Sequence, residues 1–93
     1  MNPGLREIVR FLNDEQIRAT HGAVADIVGG IPQSMGLLLG PRCVEASWVV
    51  NAKTRLPTGY HPSEMHPALL GRYEIITSGH ELGRRVARWK AAR

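Results

Sequence analysis

Two glycine-bearing breaks, Gly29-Gly30 and Gly40-Pro41, limit the middle of this 93-residue chain to helices of about two turns. Ahead of the first break, Ala23, Val24, Ile27 and Val28 recur at helical spacing, and Thr20 stands where an N-cap belongs. The spacing predicts a helix over 21–28 with those four residues facing inward. Gly29-Gly30 ends it, because glycine tolerates the left-handed backbone of a sharp turn. Pro32 suits the first turn of a second helix, which runs to Leu39 with Met35, Leu38 and Leu39 as its buried stripe, and Gly40-Pro41 stops it. Two short helices joined by Gly-Gly-Ile have the spacing of a helix-turn-helix.

Beyond Pro41 the pattern changes. Val44 to Val50 is rich in β-branched and aromatic residues and reads as a strand. Residues 51–54 are turn-like, and Arg55-Leu56-Pro57 can return as a second strand. Lys53 and Arg55 then sit at the tip of a β-hairpin. Three prolines between 57 and 67 make the next stretch a surface loop, with one helical turn near Met65 to Leu70. Tyr73 to Ile76 is a short strand or an anchored segment.

The ends of the chain read as helices. Leu5, Ile8, Val9 and Leu12 fall at i, i+3, i+4, i+7 and predict an amphipathic helix over 3–13, closed by the polar break Asn13 to Gln16. Ile17 begins a short extended piece. Ser78 and Glu81 have capping-box spacing, so a last helix begins near Gly79 with Leu82, Val86 and Trp89 inward. Its other face carries Arg84, Arg85, Arg88, Lys90 and Arg93, which could widen a footprint on a polyanion. The expected fold class is α+β: one domain, residues 1–93, a small winged helix-turn-helix. The helix-turn-helix occupies about 20–40, the hairpin wing about 44–60 and the C-terminal helix about 79–92.

Charge bears on the partner. Twelve lysines and arginines against eight acids leave a net charge of +4, which suits a polyanion. A chain of this length has little area for a deep enclosed substrate pocket as well as a core. Cys43 is the single cysteine, so no intrachain disulfide forms and a reducing, cytoplasmic setting is expected. No secretory signal or membrane-spanning run is visible. His61, Glu64 and His66 share one loop, but a metal site needs more ligands in fixed geometry, and no metal or cofactor is expected.

The runs Thr20-His21-Gly22-Ala23-Val24-Ala25, Gln33-Ser34-Met35-Gly36-Leu37-Leu38 and Val49 to Tyr60 follow a known order of motifs. Over residues 17 to 60 the chain resembles the DNA-binding domain of the O6-alkylguanine-DNA alkyltransferases and of their non-enzymatic relatives, the alkyltransferase-like proteins. Gly36, Val49-Val50-Asn51 and Gly59-Tyr60 carry most of the likeness. The departures bear on function. Aligning Val49-Val50-Asn51 puts Ala46 where the family's alkyl-accepting cysteine stands and Ser47 where its histidine stands. Alkyl transfer needs a thiolate activated by a neighbouring base, so no enzymatic activity is expected. The family's base-flipping tyrosine falls at His21 and its intercalating arginine at Gln33, which removes the usual flipping pair. The family uses this helix in the minor groove, which implies shape reading rather than a base code.

The resemblance implies a non-enzymatic protein that binds duplex DNA, alkylated or otherwise damaged DNA included, and flags it for repair. The candidate nucleic-acid contacts are Thr20, His21, Gln33, Ser34, Arg42, Trp48, Lys53 and Arg55. Double-stranded DNA is the expected partner, with no small-molecule substrate and no membrane. Two alternatives stay open. The uncharged helix 32–39 also suits a protein-interaction module that has kept the scaffold and lost DNA, and Cys43 beside Arg42 leaves room for thiol chemistry.

Overall fold

A computed structural model describes all residues, Met1–Arg93, as an α+β fold of four helices and a small three-stranded parallel sheet. Helix α1 spans Pro3–Glu15. Its N-cap Asn2 accepts the Leu5 N–H at 2.7 Å, and Gln16 ends it in a left-handed conformation with its N–H on the Leu12 carbonyl. The helix runs two residues past the expected end, and Asn13 Oδ1 on its polar side accepts the Trp48 indole N–H at 3.1 Å. Leu5, Ile8, Val9, Phe11 and Leu12 bury one face of α1.

Strand β1, Arg18–Thr20, is the middle of the sheet. It pairs in parallel with β2, Val49–Val50, through Ala19 opposite Val49 and Thr20 opposite Val50. On its other side it pairs in parallel with β3, Ile75–Ile76, through Arg18 opposite Ile75 and Ala19 opposite Ile76. Parallel pairing needs a long crossover, and helices fill the first one. Helix α2, His21–Val28, starts on the Thr20 hydroxyl, which accepts the Ala23 N–H at 3.1 Å. After Gly29-Gly30-Ile31, residues Pro32–Ser34 form a 3-10 turn that leads into α3, Met35–Leu39. Helix α4, Gly79–Ala91, begins on the Ser78 hydroxyl, which accepts the Glu81 N–H.

The 44–60 segment corrects the sequence reading. Glu45–Trp48 is a 3-10 turn, not a strand, and it buries Ala46, Ser47 and Trp48 against α1. The two strand residues that follow pair with β1 instead of with Arg55-Leu56-Pro57, so no two-stranded antiparallel hairpin forms. Burial fits the pairing with β1: Val49 and Val50 are almost wholly enclosed in the core. Two inward assignments also change. Ile27 and Leu38 are 41% and 37% exposed, because α2 and α3 are too short for the core to cover a full apolar stripe.

Gly79 fixes how α4 meets α2. A Cβ at this position would lie 2.3 Å from Asp26 Cβ, so only glycine lets the first turn of α4 sit on α2. No single helix is long and apolar enough to cross a membrane.

Candidate nucleic-acid interface

All three strands run the same way, and their carboxyl ends open on one groove of about 790 Å³. Thr20 closes β1, Asn51 follows β2 and Thr77 follows β3, and each lines this groove. Strand β1 is also where the order reverses, with β2 on one side and β3 on the other. Ligands in open parallel sheets bind at such carboxyl-end switch points.

The helix pair forms one wall. His21 and Gly22 come from the first turn of α2, Pro32 and Gln33 from the 3-10 turn, and Gly36, Leu39 and Gly40 from α3 and its end. His21 is half-buried, and that burial lowers its imidazole pKa from the ordinary histidine value, so the ring is neutral at pH 7.

The loop after β2 forms the opposite wall. Asn51 builds it: its Oδ1 accepts the N–H groups of Lys53 at 2.8 Å and Thr54 at 3.3 Å. Its backbone N–H donates to the Leu56 carbonyl, and its carbonyl accepts from Arg55. A short polar side chain bonding its own following backbone closes a tight turn, which carries Ala52 and Lys53 to the groove. Pro57, Thr58 and Tyr60 continue the wall.

The floor near Arg42 is tied down by polar contacts. The Tyr60 hydroxyl accepts the Cys43 N–H at 3.0 Å and donates to the Cys43 carbonyl at 3.2 Å. Burial raises the Tyr60 phenol above its ordinary pKa, so it stays protonated and able to donate. Arg42 reaches the Gly59 carbonyl with Nη1 at 3.2 Å and Glu64 Oε2 with Nε at 3.1 Å. Glu64 is fixed in turn by the His61 backbone N–H, which is the main reason its carboxyl is held below the usual range.

Of the sequence-predicted contacts, Thr20, His21, Gln33, Arg42 and Lys53 meet in this groove. Three do not. Trp48 is fully buried, with its indole N–H given to Asn13 and its ring 5.0 Å from His66, so it cannot touch a ligand. An aromatic read as an exposed strand residue is a core anchor here because the chain coils into a 3-10 turn. The Ser34 hydroxyl donates to the Ile31 carbonyl and serves the turn. Arg55 is exposed just outside the groove, and its carbonyl accepts from the buried Arg18 guanidinium at 2.7 Å. Arg18 also donates to the Leu69 carbonyl at 2.5 Å, stapling two loops to β1.

Sequence reasoning missed Thr77, and it read Asn51 as a turn and family-motif residue without assigning it to the site. The signal for both was the shared direction of the three strands, which two-residue strands do not advertise. It also left open a footprint on α4, where the structure shows much of the positive charge already paired. Arg84 pairs with Glu81, Arg85 with Glu74, and Lys90 with Glu7. None of these lines the groove. The groove lining carries two cations, Arg42 and Lys53, and no carboxylate. Cys43 is exposed and lies outside the lining.

Comparison with known proteins returns no match: no protein-family model, no curated protein and no solved structure is similar to the chain.

Proposed function

We propose that this chain is a non-enzymatic DNA-binding protein of the winged-helix kind, similar in its working surface to the alkyltransferase-like proteins. The observation that carries the reading is the groove at the carboxyl ends of the strands. Its lining holds Lys53, an Arg42 shared with Glu64 and no carboxylate, and it is walled by a helix pair and the loop that bears Lys53. Phosphates need only charge and donors at such positions, while a concavity of this size can take an extruded base.

Two further features support it. The chain turns by 96° between His21–Val28 and Pro32–Leu39 across three residues, Gly29, Gly30 and Ile31, a bend that suits a helix-turn-helix. In this reading the Asn51–Tyr60 loop, held by Asn51 and not by strand pairing, serves in place of a wing. Ala46 and Ser47 are enclosed in the core, and the groove lining holds no cysteine, which speaks against alkyl transfer.

The test is a titration of plain, O6-alkylguanine and mismatched duplexes, with intact mass measured after the alkylated duplex. Binding with an unchanged protein mass is expected, and tighter binding to the alkylated duplex would extend the reading to damage recognition. A mass gain of one alkyl group, or no binding to any duplex, overturns it. Exposed apolar residues on the helix pair, Ile31 at 60% and Leu37 at 88%, favour a second reading in which the partner is a protein.

A further inference from the structure

We infer that the arginine-lined concavity where the start of α1 meets the end of α4 binds the phosphates of a second duplex, so that the protein bridges two DNA segments; the inference rests on the DNA-binding reading above. The concavity holds about 220 Å³ and is lined by Pro3, Arg6, Glu7 and Arg10 of α1, by Met1 ahead of it and by Arg93 beyond α4. Arg6, Arg10 and Arg93 are exposed, and none forms an ion pair. The one carboxylate in the lining, Glu7, is held by Lys90 at 3.2 Å.

The charges of α1 run against the stability of the helix itself. Arg6 is its fourth residue, and the first turn carries no acid; Asp14 and Glu15 end it, and the last turn carries no base. A helix macrodipole favours the reverse order. Arg6 and Arg10 are also four apart, where like charges on neighbouring turns repel. A local rule broken with no compensating partner inside the chain suits a functional surface. The fold then adds a third cation. Trp89 packs edge-on against Phe11, with ring centroids 5.8 Å apart, and the Arg93 guanidinium lies 4.6 Å over the Trp89 ring. These contacts bring the end of α4 and its arginine to α1.

Chemistry and place select the occupant. Protein partners are anchored by buried aromatic and apolar side chains, and here only Met1 and Pro3 are apolar. A nucleic-acid backbone asks only for charge and donors, and arginine forks meet phosphate oxygens in pairs. Small-molecule sites run from about 300 Å³ upward, so this shallower concavity suits phosphates presented along a polymer. The groove lies at the other end of α4. Thr77 lines it two residues before the helix starts, and the 13 residues of α4 span about 20 Å. The molecule is only 22 Å across in its shortest direction, so a duplex seated in the groove leaves the three arginines open to another.

The experiment mixes the full chain with two short plain duplexes, one carrying an energy donor and the other an acceptor. Wild type is expected to produce energy transfer that excess unlabelled duplex abolishes. Arg6→Ala, Arg10→Ala and Arg93→Ala combined are expected to weaken the second binding event about ten-fold or more and to abolish transfer, with affinity for a first duplex changed by less than about two-fold and its salt slope unchanged. Arg6→Lys, Arg10→Lys and Arg93→Lys together keep the charge and are expected to keep the transfer. Circular dichroism checks the fold, which three exposed positions leave intact. If wild type binds duplex without transfer, or the triple alanine variant transfers as well as wild type, the bridge is wrong and the DNA reading stands. If the triple alanine variant binds a first duplex more weakly and with a shallower slope, the arginines share the groove's duplex and the bridge is again wrong. If an aspartate- and glutamate-rich peptide displaces the second duplex at lower concentration than unlabelled duplex does, the concavity serves a protein and the bridge is overturned. If wild type binds no duplex, both readings are wrong.

Discussion

Arg55 holds φ 62° in an exposed loop, a left-handed conformation that costs a residue with a Cβ about 1–2 kcal/mol. Its charge also lies near the buried Arg18 guanidinium, whose pKa is lowered first by burial and then by Arg55. Both effects oppose folding, so Arg55→Gly is expected to stabilise the fold by about 0.5–1 kcal/mol after the added freedom of the unfolded glycine is counted, read as a higher urea midpoint. The same change is expected to weaken duplex binding; a lower midpoint would contradict the strain argument. His21 makes a second residue-scale statement. Its pKa is lowered in the folded state, so the unfolded chain binds more protons as pH falls through the ordinary histidine range. The stability it contributes is complete above about pH 6.5 and declines below it. Urea midpoints measured from pH 7.5 to 5.5 are expected to fall, and His21→Gln to flatten that decline. The lowered carboxyls of Glu64 and Glu81 act in a separate window, near about pH 4.

Among elements, the crossing of α2 and α4 depends on one glycine. Gly79→Ala is expected to cost about 1–3 kcal/mol, since the new Cβ overlaps Asp26 Cβ. Asp26→Gly in the same chain is expected to return part of that loss in a thermal-unfolding cycle. Thr20→Ala removes the cap of α2 and is expected to cost about 1 kcal/mol. The helices were legible in the sequence from periodicity and end signals: Leu5, Ile8, Val9 and Leu12 mark α1, Thr20 and Gly29 bracket α2, and Ser78 opens α4. The sheet was not legible. Strands of two or three residues have no alternation to read, and Val49-Val50 looks the same in a hairpin as in a parallel sheet. Trp48 was misplaced for the same reason, since the 3-10 turn that buries it leaves no periodic trace. The groove was half legible: cap and turn readings pointed to Thr20 and Lys53 and the family resemblance to His21 and Gln33, with Arg42 beside them, but the convergence of Asn51 and Thr77 with them is a property of topology.

At the scale of the whole molecule, the net charge of +4 is unevenly available. Away from the groove Arg84, Arg85 and Lys90 are paired with Glu81, Glu74 and Glu7, while Arg6, Arg10, Arg72, Arg88 and Arg93 form no ion pair. What remains around the groove is Lys53, Arg55 and an Arg42 shared with Glu64. The molecule measures 34 × 27 × 22 Å, so it covers no more than about one turn of duplex. A footprint of that size with two free cations, Lys53 and Arg55, and a third shared with Glu64 sets an expectation for counterion release. The most direct test is the affinity for a plain duplex across a salt series, wild type beside Lys53→Ala. The slope of log K against log salt is expected to be about −2 to −3 for wild type and shallower by about one for the variant. A flat dependence, no measurable binding, or an unchanged slope in Lys53→Ala would contradict a DNA-binding groove built on this loop.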